Sequence, residues 1–369
     1  MSKKRKLKIR RKKSTLIVIF TVTFLVLFAS VGYGLYTSGI GAPGSSDETV
    51  PFLVENGDTY ASLGEKLSEQ GFIKNPLVYK IYMRTINPGT LYAGYYPLKT
   101  SMGLKEVMEV ITSGNTYNPH AFYVTFPEGS DIPDIAKIVE KNTDTKAEDF
   151  IAAISDKDYL NSLIEKYWFL TDEILNGEIY YPLEGYLFPN TYLFTGKDMA
   201  PRDMAAMMLE QTDATLSEFK EQIASSGYSV HQLLSMASIV EKEVGNAVDR
   251  AGVAGLFFNR LKSGWSLGSD VSCYYGIRVD ISERDLYLSE INAYNPYNTR
   301  SPQMAGRLPI GPICNSGRGS IEATVNPTES NYYYFVTDIN GKVYYSRTIS
   351  EHNAYIAQLK SQGLWFVHE

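Results

Sequence analysis

Residues 233–245 read LLSMASIVEKEVG. Ser229 and Gln232 just upstream form an S-x-x-Q capping box, and Gly245 is the residue type that closes helices, so the spacing predicts a helix between them. At about 100° per residue, Leu233, Met236, Ala237, Val240 and Val244 make one apolar stripe. Lys242 falls opposite it, toward water. Glu241 and Glu243 fall on the two borders, Glu241 beside Leu234 and Ala237, Glu243 beside Met236 and Ile239, so they are expected half-buried and pointing in different directions. A carboxyl group held against apolar side chains has its charged form disfavoured, and its pKa rises. A general acid for glycosidic cleavage needs such a group. Border glutamates also pair commonly with a nearby Arg or Lys, so this stretch by itself leaves both residues open.

Downstream, NAVDRAGVAGLFFNRLKSGWSLGSDVSCYYGI (246–277) repeats a helical face at Val253, Leu256, Phe257 and Leu261, with Asn259 and Arg260 on its polar edge and Ser269 and Asp270 in a following loop. YNPYNTR (294–300) and RLPIGPICNSGRGSIEATVNP (307–327) are dense in Asn, Gly and Pro. Rigid loops carrying amide side chains suit recognition of hydroxyl and acetamido groups, and Gly and Pro equally serve turns. In YYYFVTDINGKVYYSRT (332–348) the Asn340-Gly341 pair predicts a hairpin with positive φ at both turn positions.

Upstream, YYPLEGYLFPNTYLF (180–194) interrupts a mainly helical region, 145–227, and is a candidate cleft wall as well as packing material. PFLVENGDTYASLGEKLSEQGFI (51–73) reads as strand, turn and helix, with Leu63, Leu67 and Phe72 inward. A second helix carries Val78, Ile81 and Tyr82, and a Tyr-rich strand follows near 91–96. The strand–turn–helix pattern recurs 72 residues later, placing Gly129 under Gly57, Ile135 under Leu63 and Val139 under Leu67. The first copy resembles a LysM-like module, a fold associated with N-acetylated glycans.

The first 13 residues carry nine Lys/Arg and no acid, and no charged side chain occurs from Ser14 to Ser46. Leu16–Tyr36 has the roughly 20-residue apolar length that spans a bilayer, longer than the apolar core of a cleavable signal peptide. The basic flank is expected to stay cytoplasmic, sending the rest across the membrane. Without those nine residues, 26 Lys/Arg face 41 Asp/Glu, a balance of −15 that argues against nucleic acid. The basic tail is explained by topology and anionic lipid. Cys273 and Cys314 lack zinc spacing and are expected free, and the four histidines are scattered, so no metal or other cofactor is expected. SGIGAPGSSDETV (38–50) reads as a linker.

ASIVEKEVG, VAGLFFNRLKSGWSLGSD, YNT, LPIGPICNSG, SIEATVNP, YYYFV and EHNAY, in that order, resemble the MltG (YceG-like) endolytic murein transglycosylases, and LEGYLFPNTYLF belongs to the same ordered set. The chain departs where the family usually has Gln-Ser-Asp-Pro-Thr, here Gly268-Ser269-Asp270-Val271-Ser272, and where Arg300 replaces an aromatic residue. The resemblance implies an α+β protein: a cytoplasmic tail (1–13), a single transmembrane anchor (14–37), a linker (38–50), a LysM-like module (51–114) and an extracytoplasmic YceG-like catalytic domain (115–369). It implies cleavage of the MurNAc-GlcNAc β-1,4 bond of nascent peptidoglycan strands with a 1,6-anhydro end, which terminates elongation, and peptidoglycan synthases as candidate partners. Matching the motif puts the acid/base at Glu243. Glu241 is the alternative, and Asp270 is a candidate for orienting the acid. Asn259, Arg260, Ser269, Tyr297, Asn298 and Asn315 are the candidates for holding glycan. A non-catalytic glycan-binding scaffold and a water-using hydrolase are the competing readings.

Overall fold

The computed structural model describes residues 3–244 and 249–365, which divide into two compact units, Met1–His120 and Ala121–Glu369. The helix end expected at Gly245 lies outside the described residues.

The first unit begins with α1 (Lys3–Ile40), whose segment Thr15–Ile40 is long and apolar enough to cross a membrane. Then come β1 (Val50–Val54), α2 (Tyr60–Glu69), α3 (Pro76–Thr85), β2 (Gly94–Leu98) and α4 (Leu104–Thr112). The strands pair antiparallel, with Val50 opposite Leu98 and Val54 opposite Gly94. Their inward residues Phe52, Val54, Tyr96 and Leu98 share one core with Leu63, Leu67 and Phe72. Thr59 caps α2 through a capping box with Ser62, as Asn75 caps α3 with Pro76 in the first turn. On α3 the buried positions are Val78 and Tyr79, while Ile81 is exposed. The Tyr79 ring turns the helix this way: it packs where Gly64 has no side chain, and its hydroxyl donates to the Tyr60 carbonyl at 2.7 Å.

The Gly- and Ser-rich stretch that reads as a linker makes contacts within the first unit. The last turn of α1 sets Gly39 against Val78, where an added Cβ would lie 2.6 Å from the valine. Gly44 N then donates to Thr100 O at 2.9 Å and Ser101 N to Ser46 O at 3.2 Å. Small residues here permit close approach as well as flexibility.

The second unit opens with β3 (Phe122–Thr125), α5 (Ile132–Asn142), α6 (Ala147–Ile154), α7 (Lys157–Lys166) and β4 (Thr191–Phe194), β3 and β4 being antiparallel. The repeat seen in the sequence is realised in both units. Gly57 and Gly129 have φ of 95° and 78°, Thr59 and Asp131 are the helix N-caps, and Leu63, Leu67, Ile135 and Val139 are all buried.

The chain continues through α8 (Pro201–Ser217), α9 (Lys220–Ser226), α10 (Val230–Val244), α11 (Arg250–Lys262), α12 (Asp270–Ile277), α13 (Leu288–Asn292), α14 (Arg318–Val325), β5 (Tyr334–Thr337), β6 (Val343–Ser346) and α15 (Ile349–Ser361). The described part is thus α+β, with helices and three two-stranded antiparallel ribbons. The β5–β6 turn differs from the sequence expectation. Gly341 has φ 81°, Asn340 is not left-handed, and Gly341 N donates to Asp338 O at 2.9 Å. The Asp338 carboxylate accepts from the main-chain N–H of Asn340 and Lys342, and the glycine closes a longer loop with a bulge.

Candidate active site

Helix α10 starts as its sequence dictates: Ser229 N donates to Gln232 Oε1 at 3.0 Å and Gln232 N to Ser229 Oγ at 3.2 Å. It packs against α11, α12 and α14. Its burial is wider than the predicted stripe, covering every residue from Leu233 to Glu241 and again Val244. The two serines on the supposed polar side turn their hydroxyls inward, Ser235 to His231 O at 2.7 Å and Ser238 to Ser235 O at 2.8 Å, which removes the cost of burying them. Lys242 is exposed and Glu243 half-buried, so past Leu233 the helix presents polar groups at its C-terminal turn.

The two glutamates have separate surroundings. Glu241 is buried and accepts the Gly317 N–H at 3.0 Å, with an Arg250 guanidinium nitrogen 3.8 Å away. Gly317 is the N-cap of α14, so the Glu241 carboxylate satisfies a donor that the helix leaves unpaired and meets the positive end of its dipole. Glu243 points elsewhere. Burial pushes its pKa up, the Ser269 hydroxyl opposes this, Asp270 adds to the rise, and the guanidinium groups of Arg300 and Arg260 favour the ionised form. Ser269 Oγ is buried and has no hydrogen-bond partner among the described residues.

The groups around Glu243 are rigidly built. Ser269, expected in a loop, is the N-cap of α12, and Asp270 is that helix's first residue. Ser269 N donates to Thr299 Oγ1 at 3.0 Å, Gly268 N donates to Thr299 O at 3.1 Å, and Ser272 Oγ lies 2.8 Å from Thr299 Oγ1. The helix start is thereby laced to the 294–301 loop. Asp270 is ion-paired with Arg300, whose Nη2 donates to Oδ2 at 2.9 Å. Arg260 donates from Nε to Tyr333 O at 2.6 Å and from Nη1 to Leu267 O, with its guanidinium 5.6 Å from the Tyr334 ring centre. Burial lowers its pKa.

Of the residues singled out in the sequence, the structure gathers Ser269, Asp270 and Arg260 around Glu243. The amides lie elsewhere in the bonding scheme. Asn259 Nδ2 donates to Ser330 O at 2.9 Å and Tyr332 O at 3.1 Å. Asn298 Nδ2 reaches the carbonyls of Glu290, Ile291 and Ala293, and its Oδ1 accepts from Arg300 N. Asn315 joins Leu187 N, Ser130 O and Glu184 Oε1. Tyr297 is fully buried, its hydroxyl accepting from Tyr180 N. These four hold the loops in place. Cys273 and Cys314 are free and buried.

Sequence reasoning missed two groups. Arg300 was noted only as a departure from a pattern. Glu184, in the middle of LEGYLF, is 1% exposed and accepts from Ile132 N (3.0 Å), Asn315 Nδ2 (2.9 Å) and Tyr275 Oη (3.1 Å). Burial pushes its pKa up to about 8, against those donors and with Asp131 adding to the rise. A lone carboxylate inside an aromatic run was its only signal. The aromatic stretch itself is mostly core, from Leu183 to Leu187, and Tyr181 reaches a cleft.

The sequence profile of the YceG-like family matches residues 52–358. The chain is 32% identical over 325 residues to a Bacillus subtilis (strain 168) protein named endolytic murein transglycosylase, covering 87% of this chain and 88% of that protein. A Streptococcus pneumoniae serotype 2 protein of the same name is 31% identical over 359 residues, covering 92% of this chain, which spans 64% of the longer relative. A crystal structure of a yceG-like protein from Listeria monocytogenes superposes with a TM-score of 0.59 at 31% identity, over 84% of this chain and all of that one. The match runs through the helix of the two glutamates and the loops that surround Glu243: this chain belongs to the YceG-like family.

Proposed function

We propose that the chain is an endolytic murein transglycosylase anchored by α1, and that Glu243 is its acid/base. The observation that carries this is the surroundings of Glu243: a half-buried carboxyl with a raised pKa, just past the stretch of α10 buried from Leu233 to Glu241, flanked by a buried hydroxyl and two guanidinium groups. The protonated carboxyl gives its proton to O4 of the departing sugar as the C1–O4 bond breaks. The C6 hydroxyl of the muramic acid residue then closes on C1, and the Glu243 carboxylate takes the proton from O6. One C–O bond is broken and one formed, and no water is consumed. Arg260 and Arg300 stabilise the carboxylate between the two halves, so one residue can alternate between acid and base.

In this reading Asp270 orients Arg300 and the acid; its ion pair makes it a poor independent nucleophile. Ser269, which is buried, and Arg260 act on the reaction through Glu243. Asn259, Tyr297, Asn298 and Asn315 act on the glycan through the loops they fix. The basic flank stays cytoplasmic, and the part of the first unit after α1 lies outside together with the second unit. The β–α–α–β order of the first unit suits a LysM-like glycan-binding role near newly made strands, where peptidoglycan synthases are candidate neighbours.

Mass spectrometry of strands digested by the full chain tests the reaction. Anhydro ends are expected. Hydrated reducing ends would identify a hydrolase, and uncut strands a binding protein.

A further inference from the structure

Helices α10 and α12, which carry residues of the site, also border a cleft of about 380 Å³. Lys242 lies in this cleft directly beside Glu243 in sequence, and Val271 directly beside Asp270, so the cleft begins one residue from the acid on α10 and one residue from Asp270 on α12. We propose that it receives the peptide stem of the glycan strand, with stem carboxylates facing Lys242 and Arg278 and the stem amine facing Asp280 and Glu283. The inference rests on the transglycosylase reading and extends it to the part of the substrate that is not sugar.

The charges in the cleft sort into those already matched and those available. Asp131 caps α5 by accepting from Asp134 N at 2.9 Å, and Asp134 is ion-paired to Lys137 at 3.4 Å. Lys242 and Arg278 make no ion pair among the described residues. Arg278 is nevertheless held in place: its guanidinium lies 4.6 Å from the ring centres of Tyr180 and Tyr181 and 4.9 Å from that of Tyr275. It is also the one non-glycine residue with positive φ among the described residues, 58°, as the C-cap of α12. Aromatic packing on one face leaves the edges of a guanidinium able to donate to a carboxylate. Asp280 accepts from Ser282 only through Oδ1 among the described residues, and Glu283 follows three residues on.

Beyond the Asp134–Lys137 pair, Lys242, Arg278, Asp280 and Glu283 therefore line one cleft without a direct ion pair among the described residues. A neutral sugar does not call for this, and a simple anion would meet the carboxylates. A short peptide with both carboxylates and an amine matches it. In muramic acid the stem leaves through the lactyl ether at C3 of the same ring whose C1 bond is cut, so a stem must pass within a few bonds of Glu243.

The test compares the detergent-solubilised full chain on uncrosslinked strands bearing complete stems and on the same strands stripped by an amidase. The wild type should favour stem-bearing strands by about tenfold in kcat/KM, the scale of one charge-assisted contact. Lys242→Ala should bring that ratio close to one with an unchanged unfolding midpoint, since the side chain is exposed. Using the ratio cancels any effect of Lys242 on Glu243 itself. Anhydro products with a wild-type ratio near one, or a full ratio retained in Lys242→Ala, would overturn the stem site while leaving the reaction intact. Absence of anhydro products from both strands would remove the transglycosylase reading and the stem site with it.

Discussion

The Glu241 carboxylate accepts the main-chain N–H of Gly317 at 3.0 Å, joining the end of the central helix α10 to the start of α14 across 76 residues of chain. Two glutamates separated by one lysine thus have separate surroundings, and the proposed function gives one a mechanical and the other a chemical duty.

The mechanical duty is measurable. Glu241→Ala leaves the Gly317 N–H buried without a partner and removes a favourable helix-end charge, a loss of about 1–3 kcal/mol. Glu241→Gln keeps an acceptor and should cost less. Thermal unfolding should rank wild type above Gln above Ala, with both variants still producing anhydro ends below their transitions. Equal stability of all three would remove the helix-joining role.

Glu243→Gln preserves size and hydrogen bonding but supplies no transferable proton. If one carboxyl serves both halves of the reaction, as proposed, the rate should fall at or beyond the upper end of the ~10²–10⁴-fold range for acid–base groups. Its unfolding temperature should stay near that of the wild type. Near-normal turnover would move the acid to another residue.

Arg300 should tune the pH profile. Its cation favours ionised Glu243, and it also neutralises Asp270, whose charge opposes that ionisation. Arg300→Ala removes the first effect and exposes the second, and both raise the pKa of Glu243. The acid must be protonated to act, so the alkaline limb of kcat/KM should shift to higher pH. A limb that stays put or moves down would break the link between Arg300 and the acid.

Glu184 bears on stability. Its pKa is about 8 in the folded protein, against an ordinary 4.5, so between those values the folded chain holds a proton that the unfolded chain has released. Its contribution is full below pH 4.5 and is lost as pH rises to about 8. His231, whose pKa burial lowers, acts the other way, weakening the fold as pH drops below 6.5. The difference isolates Glu184: the stability advantage of wild type over Glu184→Gln should shrink between pH 5 and pH 8 in denaturant titrations. A constant advantage would mean that Glu184 does not titrate there.

What could be read in the chain followed from how local its cause was. Ser229 and Gln232 cap α10 through neighbours three residues apart, and the Gly57/Gly129 repeat is a matter of one turn and one helix. The all-round burial of α10 was hidden because Ser235 and Ser238 look polar until their hydroxyls fold back on the helix. Glu243 was legible as a carboxyl in an apolar helix with a family motif around it. Arg300 was not, because its partner Asp270 lies 30 residues away. The asparagines announced polarity without naming what they would bond: Asn259, Asn298 and Asn315 reach backbone carbonyls brought near only by the folded loops.

The docking of Gly39 against Val78, and of residues 44–46 against 100–101, makes the first unit a lever rather than a weight on a leash. With the chain after α1 stitched down, that unit has no swivel at its base. Any tilt of α1 carries β1, β2 and their helices through the same angle, and the direction they face is set by the inclination of one helix.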